Sequence, residues 1–313
     1  MQTKQQFLNQ KDLLGIRQLS TEEIWLILER AESMKAIVTG EKEKSSLLKG
    51  KSAVTLFYEN STRTRMAFTM AGTYLGANVK DLGVANSSVK KGESLVDTGI
   101  TLDRMGIDYM IMRHNQSGAA HLLAQNVSAS VINAGDGANE HPTQALLDFY
   151  TIYEKKGGFK NLKVTIIGDI AHSRVARSNV FGLTKLGAKV TLAGPGTLTA
   201  KSMECLGCKV ETDLKQAVKD ADIVMALRIQ LERQKGGLFP NLREYSQIYG
   251  IDQNLFDYAK PDALLMHPAP VNRGVELMPE LMDSDVSVID QQVTNGVAVR
   301  MAILALLNER RAN

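Results

Sequence analysis

Apolar and polar positions in the first part of the chain switch between helical and strand spacing. Ser20 and Glu23 have the spacing of a capping box, and the apolar residues that follow predict an amphipathic helix running toward Met34. Residues 52–58 predict a buried strand, and beyond the polar stretch 60–65 apolar residues recur at helical spacing. The chain therefore begins with a helix, a strand, a polar loop and a second helix.

The order of strand, polar residues and helix recurs farther along. Short strands are predicted at 109–112, just before Arg113, and at 130–133, before a Gly-Asp-Gly turn. Residues 145–153 favour a helix, and the charged, glycine-containing stretch 155–160 predicts a break that we interpret as a domain junction.

Strands and helices also alternate in the second half. A nearly continuous apolar strand is predicted at 163–167, a helix at 173–186, a second strand at 189–193 and a late strand at 264–266. Such alternation indicates a parallel sheet covered by helices, with the carboxyl ends of all strands on one edge, where ligands bind.

The length of 313 residues favours two domains. We therefore predict an α/β fold of two doubly wound parallel-sheet domains with helices on both faces, joined by helices. The predicted domains are 1–150 and 151–291, with a terminal helix at 292–313 packing back on the first. One apolar face of that helix is predicted from Val297, Met301, Leu304 and Leu307.

The charge balance excludes a broad electrostatic surface for nucleic acid. The 37 basic and 34 acidic residues leave a net charge of only +3, so any attraction for anions must be local. Residues 1–15 are polar and resemble neither a secretory signal nor a membrane anchor, which predicts a cytoplasmic location.

The two cysteines, Cys205 and Cys208, form one C-x-x-C pair that could hold a metal or cycle in redox chemistry. No second Cys/His pair completes a four-ligand zinc site. Gly207 follows a helix-like segment, so we predict a helix ending at glycine with structural thiols, and no metal or organic cofactor.

Residues 61–65, Ser-Thr-Arg-Thr-Arg, lie where a strand hands over to a helix. Hydroxyls, backbone N–H groups and the positive end of the helix dipole converge there, and Arg63 adds a bidentate fork for phosphate oxygens. The segment predicts an anion site; the alternative is an ordinary capped helix with solvated arginines.

Two further segments carry groups suited to a carbonyl substrate. His141 and Gln144 lie one turn apart at a helix entrance, where an imidazole could stabilise a developing oxyanion, although a lone histidine is often structural. The loop 267–274 contains two prolines that preset its backbone, so its carbonyls could accept hydrogen bonds from an amide; a rigid turn is the alternative.

Together with Arg113, these segments resemble the aspartate/ornithine carbamoyltransferase family over nearly the whole chain. The resemblance implies a carbamoyl phosphate loop at residues 61–64 and a carbonyl-binding motif at 141–144. The implied catalytic residues are Arg63, Thr64, Arg113 and His141. The implied carbamoyl phosphate ligands are Ser61, Thr62, Arg63, Thr64, Ser87, Lys91, Arg113, His141, Gln144, Ala269 and Pro270.

Within the family, the amine-binding loops resemble those of aspartate enzymes. Residues 267–270 read His-Pro-Ala-Pro where ornithine enzymes carry His-Cys-Leu-Pro, and 228–230 read Arg-Ile-Gln where they carry Ser-Met-Gly. Aspartate brings two carboxylates that need cationic anchors, whereas ornithine would need an acidic partner. The implied aspartate ligands are Lys91, Arg174, Arg228 and Gln230.

The resemblance also implies shared active sites. Its loop at 87–93 reaches the neighbouring subunit in the family, which would make a homotrimer the smallest active unit and allow larger assemblies with regulatory chains. The glycines at 236–237 suit a mobile lid. The expected activity is carbamoyl transfer to L-aspartate in pyrimidine biosynthesis.

Three alternatives remain at this point. Another amine, such as ornithine, putrescine or an acylated ornithine, could be the acceptor. A dinucleotide-dependent dehydrogenase could explain the strand at 163–167, but the sequence lacks G-x-G-x-x-G there. A relative that binds carbamoyl phosphate without turnover is the third.

Overall fold

The chain divides into two compact units in the computed structural model. The structure describes residues 7–83, 92–230 and 241–312. Unit 1 contains the residues up to Tyr150 and those from Thr294 onward, and unit 2 contains Thr151–Val293. The chain passes from one unit to the other twice, each time within a continuous helix. These helices are Pro142–Lys156 and Ile289–Ala312.

Unit 1 is built on a four-stranded sheet in which every pairing is parallel, with the order β2-β1-β3-β4. Its elements in chain order are α1 (Thr21–Val38), β1 (Ser52–Phe57), α2 (Thr62–Tyr74), β2 (Asn78–Leu82), α3 (Leu95–Arg104), β3 (Tyr109–His114), α4 (Ala119–Ala124), β4 (Ser130–Asp136) and α5 (Pro142–Lys156), with most of α11 (Ile289–Ala312). The capping box at the start of α1 is confirmed, because the side chains of Ser20 and Glu23 each accept a hydrogen bond from the other's backbone N–H.

Both faces of the unit 1 sheet are covered. On one face, Val54 of β1, Met110 of β3 and Val131 of β4 pack in one cluster with Leu123 of α4. On the other, the hydroxyl of Tyr109 donates a hydrogen bond to Asn308 of α11 over 3.0 Å. Because neighbouring strand residues point to opposite faces, a sheet covered on both sides needs nearly continuous apolar strands.

Unit 2 repeats the plan with a five-stranded parallel sheet of order β7-β6-β5-β8-β9. Its elements are β5 (Lys163–Ile167), α6 (Arg174–Lys185), β6 (Lys189–Ala193), a 3-10 helix (Lys201–Leu206), β7 (Lys209–Glu211), α7 (Leu214–Val218), β8 (Ile223–Ala226), α8 (Leu242–Tyr249), α9 (Gln253–Phe256), β9 (Leu264–Met266) and α10 (Pro279–Met282). The predicted fold class, two doubly wound parallel-sheet units, is confirmed. None of the helices in the described ranges combines the length and apolar character of a membrane span.

Each sheet has one point at which its strand order reverses. In unit 1 the chain moves from β1 outward to β2 and later returns to add β3 on the other side; in unit 2, β5 and β8 flank the same kind of reversal. The carboxyl ends of these strands are neighbours, since Phe57 pairs with Arg113 and Ile167 with Ala226. Loops leaving such paired ends diverge and open a crevice, where doubly wound proteins bind ligands.

The C-terminal helix departs from its prediction. The sequence predicted one apolar face, but the residues from Ala298 to Leu307 are buried on every side, and Val297 is only partly buried. A helix surrounded by protein has no polar face, so an amphipathic periodicity cannot describe it. Near its end Glu309 forms an ion pair with Arg30 of α1, Nη1 to Oε1 2.5 Å.

The cysteine pair has a structural setting. The helix-like segment before Gly207 is a 3-10 helix, and it ends at that glycine, whose φ of 88° lies in the left-handed region. The thiol of Cys208 donates to the carbonyl of Met203 over 3.3 Å, and burial raises its pKa to about 11. Within the described ranges, no group of three or more His, Cys, Asp or Glu side chains is placed to hold a metal ion.

Candidate active site

The loop after β1 delivers an anion site at the start of α2. Ser61 is the N-cap in extended backbone with a φ of −161°, and within the described part of the chain its hydroxyl makes no capping hydrogen bond to the helix. The first-turn N–H groups therefore need another acceptor, and an anion suits them and the helix dipole. Thr62 and Arg63 are exposed beside them, whereas Thr64 is buried.

The second arginine of this segment has a different role. Arg65 forms an ion pair with Asp81 of β2 at 3.2 Å, and its guanidinium lies 5.2 Å from the centre of the Phe57 ring. The other oxygen of Asp81 accepts from the hydroxyl of Thr55. Arg65 thus ties α2 to the sheet, and Arg63 is the arginine of the segment that the helix start presents to solvent.

Arg113 stands at the carboxyl end of β3, opposite Phe57 in register. Its Nε lies 3.3 Å from Oε2 of Glu59, with side-chain exposures of 17% and 19%, so the pair is largely withdrawn from water. The carbonyl of Arg113 accepts from the N–H of Tyr58 over 2.9 Å. These contacts hold the loop after β1 against the end of β3 and bring Arg113 to the same sheet edge as Ser61.

His114 follows Arg113 and is held as a hydrogen-bond acceptor. Its Nδ1 accepts from the backbone N–H of Gln116 over 3.0 Å, and its ring lies 4.7 Å from that of Tyr58. Burial lowers the pKa of His114 below its ordinary value of 6.5, and this outweighs the opposing pull of Glu59 and Asp136.

Two buried carboxylates fix the loop between β4 and α5. Asp136, with no exposed surface, accepts from the side chain of Asn133 and the backbone N–H groups of Gly118 and Glu140. The carboxylate of Glu140 in turn accepts from the N–H of Ile16 over 2.8 Å. Buried carboxylates are tolerated only with such partners, so the loop has little freedom.

A glycine completes this loop. Gly137 has a φ of 49°, and a Cβ placed there would lie 2.5 Å from the backbone nitrogen of Ser117. Any residue with a side chain would clash at this distance, so the position requires glycine. The chain then enters α5, where the carbonyl of His141 accepts from the N–H groups of Gln144 and Ala145. His141 is 4% exposed, at the entrance of the helix.

Gln144 is oriented from within α5. Its side-chain nitrogen donates to Oδ1 of Asp148, one turn farther along, over 3.0 Å, and both residues are buried. The sequence predicted Gln144 as a ligand-binding residue but did not single out Asp148. The spacing of four residues on one helix face was the available signal.

Unit 2 carries its own constellation at the ends of β5 and β8. Asp169 is fully buried; its carboxylate lies 2.7 Å from Nδ1 of His172 and accepts from the backbone N–H of Gln230 over 3.3 Å. The side-chain amide of Gln230 donates to the carbonyl of His172. Gln230 is thereby fixed to the loop after β5, which the sequence did not predict.

The two predicted aspartate-binding arginines arise from these adjacent strand ends. Arg174 is the first residue of α6, behind the N-cap Ser173, and is 3% exposed. Arg228 follows β8 and is half-buried. At Gly168 a Cβ would lie 2.5 Å from the carbonyl oxygen of Leu227, so the two loops approach each other as closely as a glycine allows.

The late loop of unit 2 is held by a buried histidine and glutamate. Nδ1 of His267 accepts from the N–H of Ala269 over 2.7 Å, and its Nε2 lies 3.5 Å from Oε1 of Glu276. The same oxygen of Glu276 accepts from the N–H of Asn272. Between them lie Ala269, with a φ of 50°, and Pro270, joined by a cis peptide bond. The preset loop predicted from its prolines therefore depends equally on Glu276.

Within each unit, the structure places the described candidate residues at one sheet edge. Unit 1 contributes Ser61, Thr62, Arg63, Thr64, Arg113, His141 and Gln144; unit 2 contributes Arg174, Arg228, Gln230, Ala269 and Pro270. Ser87 and Lys91, the two candidates expected from a neighbouring subunit, lie outside the described residues, as do the glycines of the predicted lid.

Comparison with protein families gives two matches that together cover most of the chain. The carbamoyl-P binding domain of the aspartate/ornithine carbamoyltransferases matches residues 11–154, and the Asp/Orn binding domain of the same family matches 160–307. The second match runs into α11, although the residues from Thr294 belong to unit 1 in space. We attribute this difference to the continuity of the helix, which a division along the sequence cannot follow.

Named relatives are similar over nearly their full length. The aspartate carbamoyltransferase catalytic subunits of Ruminiclostridium cellulolyticum and Acetivibrio thermocellus are each 60% identical over 97% of this chain and 97% of their own. Among solved structures, the aspartate transcarbamoylase of Trypanosoma cruzi in complex with N-(phosphonacetyl)-L-aspartic acid has a TM-score of 0.85 and 30% identity, covering 94% of each chain. The ornithine carbamoyltransferase of Pyrococcus furiosus has a TM-score of 0.86 and 32% identity, covering 96% of this chain and 98% of its own.

The lowered pKa of His114 predicts a pH dependence of stability. Since the native state takes up this proton less readily than the unfolded chain, stability should fall as the pH drops through and below the ordinary value of 6.5. His114→Asn keeps an acceptor for the N–H of Gln116 but cannot titrate, so its denaturation midpoint should fall less steeply between about pH 7 and about pH 5. In a histidine NMR titration, the signal missing from the variant should have its midpoint below 6.5 in the parent chain. A midpoint above 6.5 would contradict the assigned burial.

Proposed function

Because the chain belongs to the aspartate/ornithine carbamoyltransferase family, we propose that it transfers the carbamoyl group of carbamoyl phosphate to L-aspartate, giving N-carbamoyl-L-aspartate and phosphate. The observation that carries the choice of aspartate is the placement of Arg174, Arg228 and Gln230 at the paired ends of β5 and β8. Two guanidinium groups suit the two carboxylates of aspartate. The names of the 60% identical relatives support the same choice.

Unit 1 has the groups needed to bind carbamoyl phosphate. The phosphate would be held by the start of α2, through Ser61, Thr62, Arg63 and Thr64, together with Arg113 at the end of β3. His141 and Gln144, at the entrance of α5, would contact the carbamoyl group. Arg174, Arg228 and Gln230 would bind aspartate, and the carbonyls of Ala269 and Pro270 would accept from the carbamoyl nitrogen.

The reaction proceeds without a protein nucleophile. The amine of aspartate attacks the carbamoyl carbon, a C–N bond forms, and the C–O bond to phosphate breaks. His141, Arg113 and Thr64 stabilise the oxyanion of the tetrahedral intermediate, and the departing phosphate takes the amine's proton. Alignment of two bound reactants can supply about 7–11 kcal/mol of the barrier, and one oxyanion donor about 3 kcal/mol.

The biological setting belongs to the same proposal. Carbamoyl aspartate formation serves pyrimidine biosynthesis in the cytoplasm, and neither metal nor organic cofactor takes part. Ser87 and Lys91 of one chain would complete the site of the next, so a homotrimer is the smallest active form. Trimers could join larger assemblies with regulatory chains.

The direct test is a product assay on the purified chain with carbamoyl phosphate and a set of amines. Carbamoyl aspartate should form with L-aspartate, and no product should form with ornithine, putrescine or N-acetylornithine under the same conditions. If product formed with ornithine and with no other amine, the chain would be assigned to the ornithine enzymes of the family instead. Binding of carbamoyl phosphate in calorimetry without any product would indicate a sensor.

Arg63→Ala and His141→Ala should each lower turnover by a factor of roughly 100 or more, because each removes a charge or donor that stabilises the reacting groups. Circular dichroism and the thermal midpoint should remain close to those of the parent chain for Arg63→Ala, whose side chain is exposed. Arg104→Ala, at the exposed end of α3 in the same unit, is the matched control and should retain parental turnover. Parental turnover in Arg63→Ala would contradict the assignment of the anion site to the start of α2.

Shared sites predict complementation between two inactive variants. Arg63→Ala and Lys91→Ala chains, dissociated together and allowed to reassociate, should recover activity in roughly one quarter of the sites, because those sites combine an intact residue from each chain. Each variant reassociated alone should stay inactive, and the native mass should correspond to three chains. Recovery at the level of the unmixed variants would show that each chain holds a complete site by itself.

A further inference from the structure

Gln144 belongs to a buried polar cluster that extends beyond the candidate active site. Its amide nitrogen donates to Asp148 over 3.0 Å, and Asp148 is 0% exposed. An ionised carboxylate accepts hydrogen bonds and donates none. The amide must therefore face Asp148 with its NH2 group, which turns its oxygen toward the other side of the side chain.

The charge of Asp148 is balanced by a buried arginine from α11. Arg300 is 3% exposed; its Nη1 donates to the carbonyl of Gly296 over 2.7 Å, and its guanidinium lies 5.2 Å from the centre of the Phe68 ring of α2. Burial lowers the pKa of Arg300 to about 10, and the attraction of Asp148 partly opposes this shift. Asp148 and Arg300 are therefore opposite charges buried in one cluster.

The backbone makes room for this arginine. At Gly296, a Cβ would lie 2.7 Å from Nη1 of Arg300 and 3.2 Å from Leu147, which precedes Asp148 on α5. The cluster thus connects three helices of unit 1, namely α2, whose start forms the anion site, α5, which carries His141 and Gln144, and α11. Burying two opposite charges costs desolvation energy, and a hydrophobic pair of similar volume can be equally stable. Stability alone therefore gives no reason for Asp148 and Arg300.

We propose that Asp148, buried in one cluster with Arg300, is a positioning residue that fixes the amide of Gln144 with its oxygen presented to the carbamoyl NH2 of the substrate. The inference rests on the proposed function, because it assigns Gln144 to the carbamoyl group. Asp148 itself touches no substrate. Its effect is selectivity: an amide oxygen accepts from the NH2 of carbamoyl phosphate, whereas a flipped amide would present a second donor to it.

Inorganic phosphate separates this role from a merely structural one, because it occupies the anion site but has no NH2 group. In Asp148→Asn the new side chain can either donate or accept, so Gln144 can adopt both orientations. The KM for carbamoyl phosphate should rise about tenfold, which corresponds to the loss of one well-formed hydrogen bond. The inhibition constant of phosphate should stay within about twofold of the parent value, because the contacts of α2 are unchanged.

Two further variants exclude indirect effects. Asp108→Asn changes a half-buried acid of unit 1 that pairs with Lys51 and Arg311. It should leave the ratio of the KM for carbamoyl phosphate to the inhibition constant of phosphate at the parental value. The double variant Asp148→Asn with Gln144→Ala should be no weaker for carbamoyl phosphate than Gln144→Ala alone, because Asp148 acts through Gln144.

If Asp148→Asn folds poorly, a variant that lacks both buried charges still allows the positioning role to be tested. Asp148→Asn combined with Arg300→Met removes both buried charges, and it should recover the thermal midpoint while still losing selectivity for carbamoyl phosphate over phosphate. Parental selectivity in a folded Asp148 variant, or a parallel loss for both ligands, would overturn the positioning role. Failure of the proposed function is separate, since the parent chain would then form no carbamoyl aspartate.

Discussion

The candidate residues of each unit depend on one constraint, the parallel arrangement of the strands. In a parallel sheet every strand ends on the same edge, and where the strand order reverses, the loops from two neighbouring strands separate. The chain has one such reversal in each unit, between β1 and β3 and between β5 and β8. The first is followed by the start of α2 and by Arg113, and the second by Asp169 and Arg228. Polar side chains are thereby concentrated at a sheet edge where small molecules can bind.

The loops at these edges are held by carboxylates that do not belong to the predicted binding residues. Asp136 holds the turn before α5, Asp169 holds Gln230, and Glu276 holds the loop around Ala269. Each is buried and accepts backbone N–H groups, as buried charge requires. Several of the candidate residues, among them Gln230, Ala269 and Pro270, thus lie on loops whose backbones are already fixed by hydrogen bonds. Such fixed backbones favour catalysis by placement of the reactants, which is the kind that the proposed function requires.

An element could be predicted from the sequence where its local pattern of apolar and polar residues is strong. The strands at 163–167, 189–193 and 264–266 were predicted to the residue, because buried parallel strands are short apolar runs bounded by polar residues. The strand β2 was missed, since it lies at a sheet edge and three of its five side chains are polar and exposed. The terminal helix was found, but its all-round burial was not, because periodicity reports a polar face only where one exists.

The candidate site residues likewise differ in how visible they are in the local sequence pattern. Arg63 and His141 could be predicted as candidates because each lies where a helix begins. Such a position can be recognised in the sequence, and the side chains near it face the same region. Glu276 could not, because it meets His267 only after the loop between them has folded. Asp148 was missed although its spacing of four residues from Gln144 on α5 was visible, because an isolated acid in a helix usually faces water. With a net charge of only +3, the chain has no general field to collect two anionic substrates. Their recognition must come from a few oriented cations and amides, and orientation is the property that buried acids of this kind supply.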